Sequence, residues 1–473
     1  MQYSIVKFNN IKNIFRLDAE YFHPFALKYE SLINQHHRKT FSDLNCKVVS
    51  GPFGSSLRSN AYIDSGVPFI RISDLKDFFI FRDNIVYISE RDNNRLSSSQ
   101  LKVGDLVLSK VGNTIGIVSK ITVDIGNCNI SENNLGIRFP RNISDSFRDY
   151  ILSYLNSKIG QTQILRLISG NAQPKLNVYD IENLFFPIFS DNFYNQISNL
   201  IVESFKQVKS SKILYKHAEQ LLLSELELLN WKPKHELAFV KNFSATQKAE
   251  RFDAEYFQPK YEEIIESVKK YKGGYDELGN LVKIRDKNFT PKDNETYKYI
   301  ELSNISSNGE INGYMENFGN ELPSRARRKV QKGNIIISSI EGSLESIALI
   351  TENWTNALCS TGFFVVDTDK INSETLLVLM KTKIGQLQLK RGCKGTILTA
   401  IGKDELSNIT LPNIDSDIQI KIKDKIIEMY RAKHLSKSLL EIAKRGVEIA
   451  IEKNEEEAEK WIHYELEKIG GNL

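Results

Sequence analysis

The feature that most constrains this chain is that it is written twice. Arg16, Asp18, Ala19, Glu20, Tyr21, Phe22 and Pro24 recur as Arg251, Asp253, Ala254, Glu255, Tyr256, Phe257 and Pro259, at an offset of 235. Residues 69–75 align with 299–305 at offset 230, and 104–109 with 333–338 at offset 229. Residues 157–161 align with 382–386 at offset 225, which then holds without a gap through Gly170/Gly395, Pro187/Pro412, Ile197/Ile422 and Ala218/Ala443. The offset only shrinks, as expected if the second copy has shorter loops on the same scaffold. A repeat of this length dictates two similar domains in one chain, and a binding target with two related halves.

Within a copy, residues 66–72 and 104–109 read as strands that alternate apolar and polar positions after turn signals. Ile151, Leu152, Leu155 and Ile159 take helical spacing, as do Leu376, Leu379, Met380 and Ile384. Strands and helices in this order predict an α+β fold, not a doubly wound sheet. Each module closes on a Pro-bounded strand, at 184–187 and 409–412, and a long helix follows. The first helix carries an apolar stripe from Ile197 and Leu200 through Ala218 and Leu222 to Leu229; the second carries one from Leu440 and Ala443 through Asn454 to Trp461. Expected boundaries are a first module over 1–190, a central helix over 191–235, a second module over 236–414 and a C-terminal helix over 415–473. Two equivalent stripes predict an antiparallel coiled coil that holds the modules apart, and about 40 helical residues span about 60 Å.

Composition excludes more than it identifies. Of 473 residues, 41% are hydrophobic and 26% charged, values ordinary for a globular chain, and a net charge of +4 shows no all-over basic coat. No apolar run approaches a membrane span and the start lacks the zones of a signal peptide, so the expected location is cytoplasmic. Four scattered cysteines, Cys46, Cys128, Cys359 and Cys393, read as free thiols of a reducing compartment. The histidines show no ligand spacing, so no metal site is expected. Residues 392–396 lack the spacing of a phosphate loop, and neither a nucleophile elbow nor an amine-holding methyltransferase tetrapeptide occurs. These absences point to a binding protein with no catalytic residues.

Candidate contacts lie in loops. Gly54, Ser55, Ser56 and Arg58 belong to a glycine- and hydroxyl-rich loop ending in a cation, suited to phosphate oxygens, although such a loop is also an ordinary surface turn. Arg71 and Lys110 add cations. Asn133 and Asn134 offer amides that could read adenine edges or serve local turn chemistry. Asn171, Gln173 and Lys175 lie at the place equivalent to Arg391, Lys394 and Thr396. Arg325, Arg327, Arg328 and Lys329 form a basic run just before an expected strand, a phosphate contact or a solvated face. The Arg-x-Asp-Ala-Glu-Tyr-Phe element reads as a brace, with Arg16 pairing Asp18 or Glu20 and the aromatics packing inward.

That element, with residues 66–75, 101–105, 211–219, 323–328 and 443–448, resembles the DNA specificity subunits of type I restriction–modification systems. The resemblance covers nearly the whole chain, and the order of module, helix, module, helix matches. It implies two target recognition domains, each reading one half of a split target in double-stranded DNA, with the helices setting the spacer. It also implies a non-catalytic subunit that binds no cofactor itself. Two methyltransferase subunits using S-adenosylmethionine and two ATP- and Mg-dependent restriction subunits would dock on it, and no membrane is involved. Glu301 stands where the first copy has Arg71, and Glu341 where it has Gly112, so the halves are expected to read different bases. Alternatives are a protein-binding scaffold, the recognition subunit of a related phage-defence system, and an enzyme with an unrecognised site.

Overall fold

The computed structural model describes all residues except 1–3, 7–10, 12–15, 17, 81–84, 171–173, 286, 369, 396–398 and 471–473. Two compact units result: residues 1–207 with 434–473, and residues 208–433.

Unit 1 holds two four-stranded sheets. In the first, strand Lys47–Ser50 neighbours Asn134–Arg138, then Leu106–Ser109, then Val118–Lys120, all antiparallel. In the second, Val86–Ile88, Val67–Ile70, Cys128–Ile130 and Gln100–Leu101 follow in that order, with the central pair parallel. Strand Leu106–Ser109 does not alternate, because both its faces are covered. Leu106 and Leu108 enter the large helix-lined core, and Val107 enters a smaller core shared with Ile70, Leu101 and Ile130. A strand buried on both sides reads as a continuous apolar run.

Unit 2 repeats this topology strand for strand. Val282–Arg285, Phe363–Thr368, Ile335–Ser338 and Ile347–Leu349 form one sheet; Met315–Phe318, Thr296–Ile300, Leu358–Ser360 and Ala326–Lys329 form the other. The duplication extends to register. The parallel pairs Phe69↔Asn129 and Ile70↔Ile130 become Tyr299↔Leu358 and Ile300↔Cys359. Strand Ile335–Ser338 is again buried on both faces, with Ile335 and Ile337 in one core and Ile336 in another.

Each module's helical run is broken once, at matching places. Helix Asp145–Asn156 yields to Lys158–Arg166 at Ser157, whose hydroxyl caps the Gly160 N–H at 3.1 Å. Helix Ser373–Lys381 yields to Lys383–Gly392 at Thr382. A Cβ on Gly160 would fall 1.9 Å from the Tyr154 carbonyl oxygen, and one on Gly385 2.4 Å from the Met380 Cα. Both positions therefore demand glycine.

The central helix runs over Asp191–Glu225 and the C-terminal helix over Ser416–Glu452. In unit 1, Ser204 and Ser436 share a hydroxyl hydrogen bond of 2.8 Å, and Ile197 lies beside Gly446, so these segments run antiparallel. Ile197, Leu200 and Ile201 share a core there with Leu440, Ala443, Val447 and Ala450. In unit 2, Ala218 and Leu222 share a core with Ile422, Ile426 and Met429. Two expectations need correction. The central helix ends ten residues before 235, and Leu229 lies beyond it, half exposed. The C-terminal helix does not continue to 473. Asn454 leaves the helical conformation and caps a second helix, Glu455–Lys468, by accepting from the Glu457 N–H at 2.9 Å. Glutamates at 455–457 favour the positive end of that new helix.

Candidate nucleic-acid interface

In unit 1 the candidates collect at one end of a sheet. Ser50, Asn134 and Ser109 lie side by side where strands Lys47–Ser50, Asn134–Arg138 and Leu106–Ser109 meet their loops. The Gly51 N–H donates to the Asn134 carbonyl at 3.1 Å. A Cβ on Gly51 would lie 1.9 Å from the Ser131 carbonyl oxygen, so glycine lets the 51–58 loop lie flat against the 131–134 turn. The Lys110 N–H donates to the Asn133 carbonyl at 2.8 Å, and its ammonium donates to Ser50 Oγ at 3.0 Å. Val111 bridges to Lys175, bringing a second lysine alongside. Burial, and then the nearby Lys175 charge, lower the Lys110 ammonium below the usual lysine range.

Within this cluster the candidates divide. Arg58 and Lys175 are exposed and Gly54 is open; Ser55 and Ser56 lie in the 3-10 turn Gly54–Ser56. Arg71 is clamped to the buried Asp74 carboxylate at 3.2 Å, and the Arg71 N–H also donates to it at 2.8 Å. Asn134 is not available to read a base. It is fully buried and its side-chain amide donates to the distant Ile70 carbonyl at 2.9 Å, while its backbone N–H closes a turn onto the Ser131 carbonyl at 3.0 Å. Asn133 is partly exposed. Asn171 and Gln173 lie outside the described residues.

Unit 2 builds the same end from different residues. The Ser339 N–H donates to the Gly362 carbonyl, Thr361 to the Arg325 carbonyl, and Glu341 to the Thr399 carbonyl. Lys394 pairs with Ala400 in the adjoining ribbon, and its ammonium meets the Glu405 carboxylate. Arg325 is exposed. The basic run is not ahead of a strand but is the strand, Ala326–Lys329, held at the sheet edge by Leu358–Ser360. Its residues accordingly diverge: Arg327 Nε donates to the Ser324 carbonyl at 3.1 Å, Lys329 reaches over the Phe289 ring, and Arg328 turns its Nε and Nη1 inward without a hydrogen-bond partner. Thr396 lies outside the described residues.

Arg391 belongs elsewhere, in a brace only half legible in the sequence. Arg16 forms a two-point ion pair with Asp18, both contacts at 2.8 Å, and donates to the Ile168 carbonyl. Arg251 pairs Asp253 in the same way and donates to the Cys393 carbonyl at 3.0 Å. Over the Tyr21 ring stand both Arg16 at 4.7 Å and Arg166 at 4.2 Å; over Tyr256 stand Arg251 at 4.4 Å and Arg391 at 4.7 Å. The second arginine of each pair is remote in sequence, and only the 225-residue offset between Arg166 and Arg391 hinted at it.

Among the described residues no group of acidic, histidine and cysteine side chains is placed to hold a metal, and no helix is long and apolar enough to cross a membrane. All four cysteines are buried and unpaired. No family model and no curated protein matches the chain. Its neighbours among solved structures include type I restriction–modification S subunits. The S subunit from M. genitalium aligns over 88% of this chain and 94% of its own at 13% identity, with a TM-score of 0.40. The HsdS subunit from Thermoanaerobacter tengcongensis covers 88% and 97% at 12% identity, with a TM-score of 0.28. The type IIG restriction endonuclease BpuSI aligns with 40% of this chain and 29% of its own, at 13% identity and a TM-score of 0.29. Superpositions this loose assign no role to any residue here.

Proposed function

We propose that this chain is the DNA-reading subunit of a type I restriction–modification system, with each module recognising one half of a split target. The observation that carries this is internal: one two-sheet scaffold occurs twice with its parallel strand pair in matching register, while the loops at the equivalent sheet ends carry different side chains. Lys110, Lys175 and Arg58 would meet phosphates in one half, and Arg325 and Lys394 in the other. Base contacts would come from the neighbouring loops. The central and C-terminal helices would act as the spacer between half-sites, and two methyltransferase subunits would dock on the two copies of the scaffold. S-adenosylmethionine, ATP and Mg would be bound by partner subunits.

The test is co-expression with an adenine methyltransferase subunit of the same system, followed by methylome sequencing. Methylation at a bipartite sequence is expected, and exchanging residues 236–414 for another such module should change one half-site only. Unchanged methylation after the exchange would refute the reading. A protein-binding scaffold, the second reading, predicts no salt-dependent DNA affinity, whereas phosphate contacts make affinity fall steeply with salt.

A further inference from the structure

The end of the unit 1 sheet opposite the loop cluster carries a feature that DNA reading does not use. Arg138 pairs with Lys47, at the far end of the strand that begins at Asn134; four residue steps along the strand separate the two ends, about 13 Å. There a cavity of about 560 Å³ opens, lined by Lys102, Arg138, Arg141 and Arg148 and, among the described residues, by one carboxylate, Asp105. That carboxylate is turned into the protein, accepting from the Lys102 N–H at 2.8 Å and the Phe139 N–H at 3.1 Å. Two of the cations are held in place. Arg138 donates to the Gln100 and Ser98 carbonyls at 2.7 and 2.8 Å, and Arg148 pairs with Asp145 at 3.1 Å while its Nε is buried without a hydrogen-bond partner. Lys102 and Arg141 are exposed at the mouth. Asn94, Asn127 and Phe139 complete the wall with amides and one aromatic ring.

The second copy does not keep this arrangement. At matching positions Asp367 replaces Arg138, Gln331 replaces Lys102 and Asn334 replaces Asp105. Asp367 is consumed by Arg285 and Asn334. The cationic cavity is therefore not a requirement of the scaffold but a property of the first module.

We propose that this cavity binds a phosphate-bearing small molecule of nucleotide size. Lys102, Arg138 and Arg141, beyond the Arg148 that Asp145 already pairs, outweigh the inward-turned Asp105 carboxylate and select an anion, and guanidinium groups suit phosphate oxygens in particular. The volume falls within the range of small-molecule sites, and amides beside an aromatic ring suit a heterocycle. The recess lies away from the loops that would face duplex DNA, so the site does not depend on the DNA-reading assignment.

Titration calorimetry on the full chain tests this with adenosine 5′-diphosphate, inorganic pyrophosphate and adenosine as probes. The diphosphate should bind saturably, and adenosine should bind at least about tenfold more weakly. Pyrophosphate binding as tightly as the nucleotide would support recognition through phosphate alone; weaker binding would support an added contact to the base. The double variant Lys102→Glu with Arg141→Glu should lower diphosphate affinity at least about tenfold with thermal unfolding unchanged. If that pair fails to fold, Lys102→Ala should still weaken binding about threefold. Lys110→Glu, at the opposite end of the sheet, should leave it unchanged. Absence of saturable binding, equal affinity for adenosine, indifference to the charge reversals, or displacement of the diphosphate by duplex DNA would each overturn the proposal.

Discussion

Tyr21 and Tyr256 show what sequence spacing can and cannot reveal about single residues. The Arg16–Asp18 and Arg251–Asp253 pairs are two residues apart, so their partnership is visible in the string. Arg166 and Arg391 reach the same rings from far along the chain, and nothing local marks them as partners of a tyrosine. Each cation–π contact contributes about 0.5–1 kcal/mol, so Tyr256→Leu should cost about 1–2 kcal/mol in urea unfolding while Tyr256→Phe costs less. The brace is also pH-sensitive. The hydrogen bond from Arg16 holds the Asp18 carboxyl below the usual range, so its contribution is present above the unfolded carboxylate value. It is lost as pH falls through the depressed folded value, and Asp18→Asn should flatten that part of the acid unfolding curve. Lys110 behaves in the opposite sense. Its lowered ammonium sheds charge at a lower pH than an ordinary lysine as pH rises. DNA affinity should therefore decline more steeply on alkalinisation in the wild type than in Lys110→Ala. That variant should reduce the salt slope of binding by about one; an unchanged slope would remove Lys110 from the interface.

Among the elements, existence and order were legible, while burial on two faces and interruptions were not. Residues 104–109 read as an alternating strand, with 333–338 as its repeat, but burial on both faces leaves neither strand a polar face. The stripe through Asn454 kept helical spacing and concealed a break, because an asparagine that caps a new helix sits where a continuing helix would also place a residue. Equivalent joints between module and helix differ in chemistry. In unit 1, Phe79 packs on Phe205 with ring centroids 4.7 Å apart; in unit 2, the Tyr430 hydroxyl donates to the Gly309 carbonyl at 3.2 Å. Tyr430→Phe gives the second joint the first one's side chain but not its partner ring. It should destabilise unit 2 by about 0.5–1.5 kcal/mol in chemical denaturation. At Gly446, a Cβ would meet the Cδ1 of Ile462 at 2.7 Å. Alanine there displaces only the tip of a flexible side chain and regains helix propensity, so its net effect should be small. Gly446→Leu should cost about 1–3 kcal/mol by overpacking, and equal melting temperatures for the two variants would contradict this packing.

For the whole molecule, the repeat revealed two modules but not how the chain is divided between compact units. Segment 434–473 belongs with residues 1–207, since Val447, Ala450, Ala458 and Ile462 share the core of Ile197 and Leu200. Pattern alone could not give this, because a stripe shows that a face is covered without showing by what. A chain stopped after Lys433 should therefore lose hydrogen-exchange protection in helices Asp145–Asn156 and Asp191–Glu225, far from the cut in sequence. The thiols make a separate test of the cores. Burial pushes Cys46 and Cys128 up to about 12 and Cys393 up to about 11, and raises Cys359 further. Maleimide should then label none of the four at pH 8 without denaturant.

The divided first unit also sets an order of events during synthesis. Its leading segment leaves the ribosome early, but the strip that covers Ile197, Leu200 and Ile201 is translated only after the whole second unit. At about 5–20 residues per second, that delay is roughly 10–45 s. Throughout it, the nascent chain carries an uncovered apolar face, and its downstream neighbour is complete and free to close before that face is covered. The first domain to be started is the last to be finished.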